Sequence, residues 1–295
     1  METVSVVDNV VIVGPGRMGL ALGTALRQEG AVERLIYEGR GTEPPPHPLF
    51  EGDAERGAEY RLGPYPVPGD TTVLILAVPD TALGDMAYDM SMQGPAPGGC
   101  AALHLSGALS TDALGPLHAV GYAVGSLHPL QSVADPWSAG DRLVGSAFAV
   151  GGEPLAVAAA RRLVDGVGGR VLVIPPALRP LYHAAAVFAS NYLIALLAVA
   201  VRLLQDAGVS AEDALPAILP LVRGTLDNVQ HLGVPAALTG PVARGDGDTI
   251  RLHLARLSEA DRELYCALGR ELLPLARAAG LDEHRAAELE SLLGA

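Results

Sequence analysis

Three glycines near the start of the chain have the spacing of a phosphate-binding loop. The stretch VIVGPGRMG places Gly14, Gly16 and Gly19 in a G-x-G-x-x-G pattern after an apolar run of strand length. In a dinucleotide-binding turn, the first glycine allows the tight turn and the second lets the backbone approach a pyrophosphate. The third allows close helix packing, and the helix N-terminus offers free N–H groups. The predicted cofactor contacts in this loop are Gly14, Pro15, Gly16, Arg17, Met18 and Gly19.

The end of the second predicted strand, IYEGRG, indicates which dinucleotide is bound. A carboxylate there would bind the ribose 2′-hydroxyl of NAD, whereas an arginine would bind the 2′-phosphate of NADP. The usual acidic position falls on Gly39, and Arg40 follows with a guanidinium that suits a phosphate. We therefore predict NADPH as the cofactor, with NADH possible, and expect Glu38 to face solvent.

Polar residues follow three further predicted strands, in the stretches VPD (78–80), HLSG (104–107) and SLHPLQS (126–132). In an open α/β sheet, ligands bind beyond the carboxyl ends of the strands. Val78 and Pro79 are predicted to contact the cofactor. His104, Ser106 and His128 are predicted to bind the substrate. No spacing favours a metal site, and LHLSGA is not the G-x-S-x-G turn of a serine hydrolase.

The elements that must position these residues alternate between strand and helix up to about residue 175. This alternation predicts an α/β fold with a doubly wound, mostly parallel Rossmann sheet. From Leu178 onward only helical patterns remain, near 179–206, 210–231, 248–256, 258–279 and 282–293. We predict a dinucleotide-binding domain over 1–176 and an all-α substrate and dimerisation domain over 177–295.

The amino-acid composition limits which partners the protein is expected to bind and which side chains could donate a proton. All 20 basic residues are arginine, and the net charge is −13, so nucleic acid and anionic membrane surfaces are not expected partners. Without lysine, a proton donor must be His, Tyr, Cys, a carboxylic acid or water. The 2 cysteines lie far apart and no signal-peptide pattern is present, which predicts a cytoplasmic protein.

Six motifs in order, GPGRMG, LAVPD, HLSG, SLHPLQS, YHAAAVFASNYL and ALTGPVARGD, resemble a family of uncharacterised bacterial Rossmann-like proteins. That family has a helical C-terminal domain of unassigned function, like that of 6-phosphogluconate dehydrogenase. It is similar to ketopantoate reductase, pyrroline-5-carboxylate reductase and the β-hydroxyacid dehydrogenases. The resemblance implies a nicotinamide-dependent reductase with an active site between two domains, commonly a homodimer. The first substrate that the resemblance implies for this chain is ketopantoate, a small carboxylate.

The chain departs from those relatives at the catalytic acid. They carry a lysine four residues before an asparagine, whereas here Val187 precedes Asn191. His183 lies eight residues before Asn191, on roughly the same side of a continuous helix. We predict His183 as proton donor or substrate-orienting residue and Asn191 as a hydrogen-bonding partner of the substrate. An imine substrate would need no such acid, so an imine reductase is the alternative.

Two further stretches carry predictions. TGPVARGD (239–246) reads as a loop in which Arg244 and Asp246 bind the substrate, with Arg244 clamping its carboxylate. The apolar run at 181–202 is interpreted as a core helix that is buried all round and whose first turns line the active site. A membrane span there is disfavoured by its polar residues. A protein that senses NADP without catalysis is the remaining alternative from another class.

Overall fold

The structure is a computed structural model that describes residues 8–51, 57–137 and 140–294. By internal contacts the chain divides into a first unit, Met1–Asn191, and a second unit, Tyr192–Ala295. The helix that follows the predicted boundary at residue 176 therefore belongs to the first unit. All of the residues predicted at strand ends lie in this first unit.

One eight-stranded sheet forms the centre of the first unit. Its strands are β1 (Asp8–Val13), β2 (Val32–Gly39), β3 (Glu59–Leu62), β4 (Val73–Leu76), β5 (Ala101–His104), β6 (Ala123–Pro129), β7 (Ala147–Gly152) and β8 (Arg170–Val173). The spatial order is β3-β2-β1-β4-β5-β6-β7-β8. Neighbours are parallel except β6 and β7, which pair antiparallel. The predicted doubly wound, mostly parallel Rossmann sheet is confirmed, and its chain order reverses between β1 and β4.

The continuous apolar runs of the central strands reflect burial on both faces of the sheet. Successive side chains of β4 alternate between two cores, with Val73 and Ile75 in one and Leu74 and Leu76 in the other. Strands covered on both faces show such runs because both sets of alternate side chains must be apolar. The two covering layers hold the strands rigid, and the carboxyl ends carry the polar residues.

Helices α1 (Arg17–Gln28), α2 (Leu83–Ser91), α3 (Gly115–Ala119), α4 (Gly140–Leu143), α5 (Pro154–Gly166) and α6 (Arg179–Ala189) complete the described part of the first unit. Helices α1 and α5 supply buried side chains to one face of the sheet, and α2 and α3 supply them to the other. Strand β3 was not predicted, because its four residues EYRL follow a proline-rich segment and are too few to show a pattern.

The second unit is helical, as predicted. Its helices are α7, which begins at Asn191 (Asn191–Asp206), α8 (Ala211–Leu232), α9 (Val234–Ala237), α10 (Gly240–Arg244), α11 (Gly247–Leu254), α12 (Glu259–Ala278) and α13 (Glu283–Leu293). Ser210 and Ser258 are the N-cap residues of α8 and α12. The hydroxyl of each accepts a hydrogen bond from the backbone N–H three residues later, of Asp213 and Asp261, and serine is a preferred residue at this position. The stretch predicted as a loop, 239–246, contains α10. The core of this unit lies among α10 to α13.

The interpretation of 181–202 as one helix buried all round is wrong. The segment breaks at Ser190, whose φ and ψ are −120° and −70°, into α6 and α7. Within the described chain Leu181 is 69% exposed and Ile194 is 64% exposed. The segment Pro176–Asp206 is long and apolar enough to cross a membrane, with mean hydropathy 2.1. Its apolar character therefore does not come from burial inside this chain.

Candidate active site

The glycine loop between β1 and α1 has the predicted geometry. Gly14 has a φ of +103°, and a Cβ there would lie 2.6 Å from the carbonyl oxygen of Ala77, so only glycine fits the turn. A Cβ on Gly19 would collide with the carbonyl of Gly14. By contrast, no atom lies within 4 Å of a Cβ placed on Gly16. Because no side chain caps α1, its N-terminal N–H groups remain available to a ligand.

A cavity of about 710 Å³ opens in front of this loop, where the chain order of the sheet reverses. Six of the nine residues predicted to bind the cofactor line it: Gly14, Pro15, Gly16, Arg40, Val78 and Pro79. The other three, Arg17, Met18 and Gly19, form the first turn of α1 behind the loop. The far wall includes Glu43, Pro44, Pro45, Tyr60, Pro64 and Met86. The cavity lies where an open α/β sheet binds a nucleotide.

The expectation that Glu38 faces solvent is wrong. Its side chain is 0% exposed at the end of β2, and Arg61 Nε of β3 donates to its Oε1 at 2.9 Å. The backbone N–H of Tyr65 approaches Oε2 at 3.4 Å. Burial raises the pKa of the Glu38 carboxyl more than the Arg61 charge lowers it. The carboxylate at this strand end is therefore engaged by the chain itself, whereas Arg40 beside it makes no ion pair among the described residues.

Four polar residues meet at the carboxyl ends of β4, β5 and β6. The backbone N–H of Ser106 donates to His104 Nδ1 at 3.2 Å, and Ser106 Oγ donates to Asp80 Oδ2 at 2.8 Å. His128 lies near the end of β6. Asp80 directly follows Pro79 of the cavity wall, so these residues adjoin the cavity. The structure brings together the three predicted substrate residues His104, Ser106 and His128.

Helix α6 adds three residues to this group. Arg179 is 2% exposed, and its Nη1 donates to Ser126 Oγ at 2.7 Å. Its Nη2 donates to the carbonyl of Ser106 at 2.6 Å. The Tyr182 hydroxyl lies 2.7 Å from His128 Nδ1. We call the seven residues Asp80, His104, Ser106, His128, Arg179, Tyr182 and His183 the strand-end cluster.

Gly107 makes room for two imidazole rings of the cluster. A Cβ there would lie 2.6 Å from His183 Nδ1 and 2.8 Å from His128 Nε2, so a larger residue would displace both. The ring centroids of these histidines are 6.0 Å apart. His183 Nδ1, His104 Nε2 and Arg179 Nε are buried without a hydrogen-bond partner in the described structure. Buried polar atoms of this kind are uncommon and indicate a place where a ligand or water binds.

The Arg179 charge and burial together affect the titration of the other groups in the cluster. Burial, and then the Arg179 charge, lower the pKa of His104 to about 4. Burial, His183 and Arg179 likewise lower the pKa of His128 to about 4. Both imidazoles are therefore uncharged at neutral pH. Burial raises the pKa of Tyr182, and Arg179 partly opposes this, so the hydroxyl keeps its proton.

The premise that placed Asn191 beside His183 is wrong. It assumed a continuous helix, but the break at Ser190 puts His183 in α6 and Asn191 at the start of α7. Asn191 is exposed, and within the described chain no hydrogen bond joins its side chain to the strand-end cluster. A single sequence shows helical periodicity but not a one-residue interruption of the helix.

Arg244 and Asp246 lie in the second unit, around α10 and α11. Asp246 is the N-cap of α11, and its carboxylate accepts the Thr249 backbone N–H at 3.1 Å and hydroxyl at 2.8 Å. The Arg244 side chain is 65% exposed and lies 4.0 Å from Asp246. A capping function accounts for Asp246 without a ligand. Binding of a substrate by Arg244 and Asp246 stays a prediction.

In the described ranges, no group of three or more His, Cys, Asp or Glu side chains is arranged to hold a metal ion. The strand-end cluster instead combines imidazoles, a phenol, a carboxylate and a guanidinium. Such a group can donate and relay protons and can stabilise negative charge.

Fold and site together define a Rossmann-type chain with a dinucleotide cavity and a helical second unit. Residues 146–272 match the domain of unknown function DUF2520. No curated protein sequence matches the chain. This match fits the expected resemblance to uncharacterised Rossmann-like proteins with a helical C-terminal domain of unassigned function.

Solved structures share this fold. Protein TM1727 from Thermotoga maritima superposes with a TM-score of 0.66 at 23% identity, covering 91% of this chain and 98% of its own. BF3122 from Bacteroides fragilis, provisionally assigned as an NADP oxidoreductase, gives 0.62 at 21% identity, with 92% and 97% covered. The pyrroline carboxylate reductase of Plasmodium falciparum with NADP bound gives 0.56 at 14% identity, with 97% and 98% covered. At these identities the likeness establishes the fold.

Proposed function

We propose that the protein is an NADPH-dependent reductase of a small 2-oxo acid, with ketopantoate as the first candidate substrate. One observation carries the proposal: the dinucleotide cavity adjoins a buried cluster of proton-donating groups around Arg179. The cavity wall at Val78 and Pro79 continues directly into Asp80, which accepts a hydrogen bond from Ser106. A cofactor in the cavity would thus lie beside groups suited to carbonyl reduction.

The residues of the cavity fit NADPH. The uncapped N-terminus of α1 and the open space at Gly16 suit a pyrophosphate. Arg40 at the end of β2 suits the 2′-phosphate, while Glu38 is already bound by Arg61 and cannot readily serve the 2′-hydroxyl of NADH. When bound, the cofactor supplies a hydride. NADH remains a weaker possible cofactor, as it makes the same pyrophosphate contacts.

The charge of the strand-end cluster supports an anionic substrate. Arg179 is buried, its hydrogen-bond acceptors are the neutral Ser126 and Ser106, and none of the ion pairs among described residues includes it. A buried cation without a counter-ion is costly, and a carboxylate or a developing alkoxide would compensate for it. Substrate contacts of Asn191, Arg244 and Asp246 remain part of the proposal as predictions from the sequence.

An imine reductase is the second candidate. The absence of lysine favours it, because a protonated imine needs no further acid, and the fold is shared with a pyrroline carboxylate reductase. The charge of Arg179 argues the other way, since a buried cation repels an iminium. We therefore place carbonyl reduction first.

A homodimer formed through the helical segments is part of the proposal. Leu181, Ile194 and Leu221, on α6, α7 and α8, are 69%, 64% and 69% exposed. Apolar surface of this extent is characteristic of an interface, and a second copy of the chain would cover it. Burial in the dimer rather than in a bilayer fits a cytoplasmic enzyme. Light scattering on the purified protein distinguishes a dimer from a monomer or a detergent-dependent state.

The test follows NADPH absorbance with purified protein and a panel of 2-oxo acids, including ketopantoate, and cyclic imines. We expect turnover of a 2-oxo acid. Turnover of imines alone would replace the leading proposal by the alternative. Tight NADPH binding without turnover of any compound would favour a non-catalytic NADP sensor.

A separate variant tests the preference for NADPH over NADH. Arg40→Ala should weaken NADPH binding about tenfold or more, because a charged hydrogen bond contributes about 1.5–3 kcal/mol, and should change NADH binding little. Arg142→Ala, at an exposed position of α4, is the control. Equal loss of both dinucleotides in Arg40→Ala would contradict recognition of the 2′-phosphate.

A further inference from the structure

The identity of the proton donor follows from the chemistry of the strand-end cluster. Reduction of a carbonyl leaves an alkoxide that must take a proton, and the chain has no lysine to supply it. Ser106 directs its hydroxyl to Asp80, and His104 is fully buried with Nδ1 accepting a backbone N–H. The Ser106 proton is therefore already engaged, and the proton that His104 carries on Nε2 belongs to a ring with no exposed surface.

Tyr182 differs from these groups in its hydrogen-bond partner and in its exposure. Its hydroxyl oxygen lies 2.7 Å from His128 Nδ1, while the side chain as a whole stays partly exposed. When His128 carries its proton on Nδ1, that N–H donates to the tyrosine oxygen, and the tyrosine O–H is free to point to a ligand. The tautomer thus decides whether the phenol donates to the imidazole or to the substrate.

The other nitrogen of His128 has a route for recovering a proton. His128 Nε2 and His183 Nδ1 both lie within 3 Å of the point where a Cβ of Gly107 would be. His183 Nδ1 is buried without a partner in the described structure. The two nitrogens therefore lie on the same side of Gly107 with no hydrogen bond between them in the described structure, and a bridging water or a small ring shift would allow proton exchange.

Resting on the proposed reductase function, we propose that Tyr182 is the proton donor in carbonyl reduction, with His128 and His183 restoring its proton. When bound, the reduced nicotinamide would supply the hydride of the new C–H bond, which forms as the C=O π bond breaks. The Tyr182 O–H bond breaks as its proton passes to the substrate oxygen. The phenolate then takes the proton of His128 Nδ1, and His128 Nε2 takes one from the His183 side and solvent. The sum is carbonyl, NADPH and one proton to alcohol and NADP⁺.

Arg179 supports this assignment electrostatically. Its charge lies close enough to Tyr182 to lower the pKa of the phenol against the effect of burial. It would stabilise both the alkoxide and the transient phenolate. His128 starts neutral, because its pKa is lowered to about 4, so it can pass on a proton without first losing one. The earlier prediction of His183 as the direct donor changes to a second position in the relay.

The test compares Tyr182→Phe with His183→Ala and with Tyr88→Phe, an exposed tyrosine of α2 that serves as the matched control. For a 2-oxo acid, Tyr182→Phe should lower kcat by about 10²–10³, the range of general acid catalysis, with KM and NADPH affinity within about twofold of the wild type. His183→Ala should lower kcat about tenfold or less. Reduction of a preformed cyclic imine, where it is detectable, should be affected little by Tyr182→Phe.

A second readout does not depend on turnover. In ¹⁵N NMR of the histidine side chains, Tyr182→Phe should change the Nδ1 resonance of His128, and Tyr88→Phe should not. NADPH binding by fluorescence confirms that each variant is folded and binds cofactor.

The outcomes separate the two proposals. A wild-type protein that reduces no carbonyl refutes the proposed function, and the donor assignment with it. A wild-type protein that reduces a 2-oxo acid while Tyr182→Phe keeps kcat within threefold overturns the donor assignment alone. A loss of 10² or more in His183→Ala, with little loss in Tyr182→Phe, would instead return the donor role to His183.

Discussion

Among the buried charges of the first unit, those of Glu38 and Arg179 are treated in opposite ways. At the end of β2, the Glu38 carboxylate is 0% exposed and is held by Arg61 with a hydrogen bond of 2.9 Å. At the start of α6, the Arg179 guanidinium is 2% exposed but donates only to the neutral Ser126 and Ser106. A charge neutralised by the chain itself stabilises local structure. A charge left without a counter-ion can attract a ligand of opposite charge.

The difference also fits the positions of the two charges. Glu38 and Arg61 join β2 to β3 at the edge of the sheet, beside the wall of the dinucleotide cavity. Arg179 lies among the residues at the carboxyl ends of β5 and β6, where substrates of α/β enzymes bind. The comparison therefore predicts that breaking the first interaction chiefly affects stability. Removing the second charge should chiefly affect binding.

The largest effect is expected for Arg61→Ala. It leaves the buried Glu38 carboxylate without its partner, and breaking such a pair costs about 3 kcal/mol in the free energy of unfolding. The matched control is Arg34→Ala, which breaks the exposed Arg34–Glu59 pair between the same two strands and should cost less than about 1 kcal/mol. Urea unfolding of both variants measures the difference. Equal losses would show that burial of Glu38 does not decide the cost.

The pH dependence of the Arg61→Ala cost has a defined sign. The pKa of Glu38 is raised in the folded state above its ordinary value of 4.5, mainly by burial, so folding favours the protonated carboxyl. The cost of ionising it is absent below the unfolded pKa and appears as pH rises through the folded pKa. The loss caused by Arg61→Ala should therefore be largest at neutral pH and smaller near pH 4. A loss that grows toward pH 4 would contradict this account.

Arg179→Met should affect ligand binding more than stability, which is the reverse of the result expected for Arg61→Ala. Replacing a buried charge by an apolar side chain of similar volume is often neutral or stabilising, so unfolding should change by less than about 1.5 kcal/mol. The affinity for an anionic 2-oxo acid should fall about 10- to 100-fold, as expected for a charged hydrogen bond. Calorimetric titration with oxamate, an analogue of a 2-oxo acid, measures this affinity without turnover, and Arg170→Met on β8 is the exposed control.

Loss of Arg179 should also be visible in its neighbours. Its charge contributes to the low pKa of about 4 at His104 and at His128, after the effect of burial. In Arg179→Met both values should rise but stay below the ordinary histidine range, because the rings remain buried. A folded Arg179→Met protein with unchanged oxamate affinity would show that the unpaired charge is structural and would remove the contrast with Glu38.

Sequence reasoning found the part of the site that follows from sheet topology. His104, Ser106 and His128 could be placed together because the carboxyl ends of adjacent parallel strands meet at one edge. Asp80 follows the same rule, in the VPD stretch that also supplies Val78 and Pro79, and could have been included.

The rest depended on geometry that no single-sequence pattern carries. Arg179 and Tyr182 lie within four residues of His183, so helical spacing could have suggested them as neighbours. Only the structure shows that Arg179 is buried without an acid. The Glu38–Arg61 pair was unpredictable because it requires the four-residue β3. The continuous helix assumed for His183 and Asn191 was wrong because a single residue, Ser190, interrupts it, and the role of Asn191 stays a prediction.

The smallest effect is expected at a second carboxylate, Asp246, whose charge is also satisfied by the chain. Its oxygens accept the backbone N–H and the hydroxyl of Thr249 at the N-terminus of α11, which keeps the pKa of its carboxyl below the usual range. Asp246→Ala should lower the free energy of unfolding by about 1 kcal/mol through loss of the helix cap. Asp246→Ser restores a capping oxygen without the charge, so it should recover most of that stability.

The same pair of variants decides whether the Asp246 charge only stabilises local structure, as expected for Glu38, or contributes to ligand binding, as expected for Arg179. If it only caps α11, the KM for a 2-oxo acid should be unchanged in Asp246→Ser. If the charge of Asp246 helps Arg244 to bind substrate, KM should rise in Asp246→Ser as much as in Asp246→Ala, although stability is restored. Because Arg244 lies 4.0 Å away and is largely exposed, its coupling to Asp246 is weak, and we expect the first result.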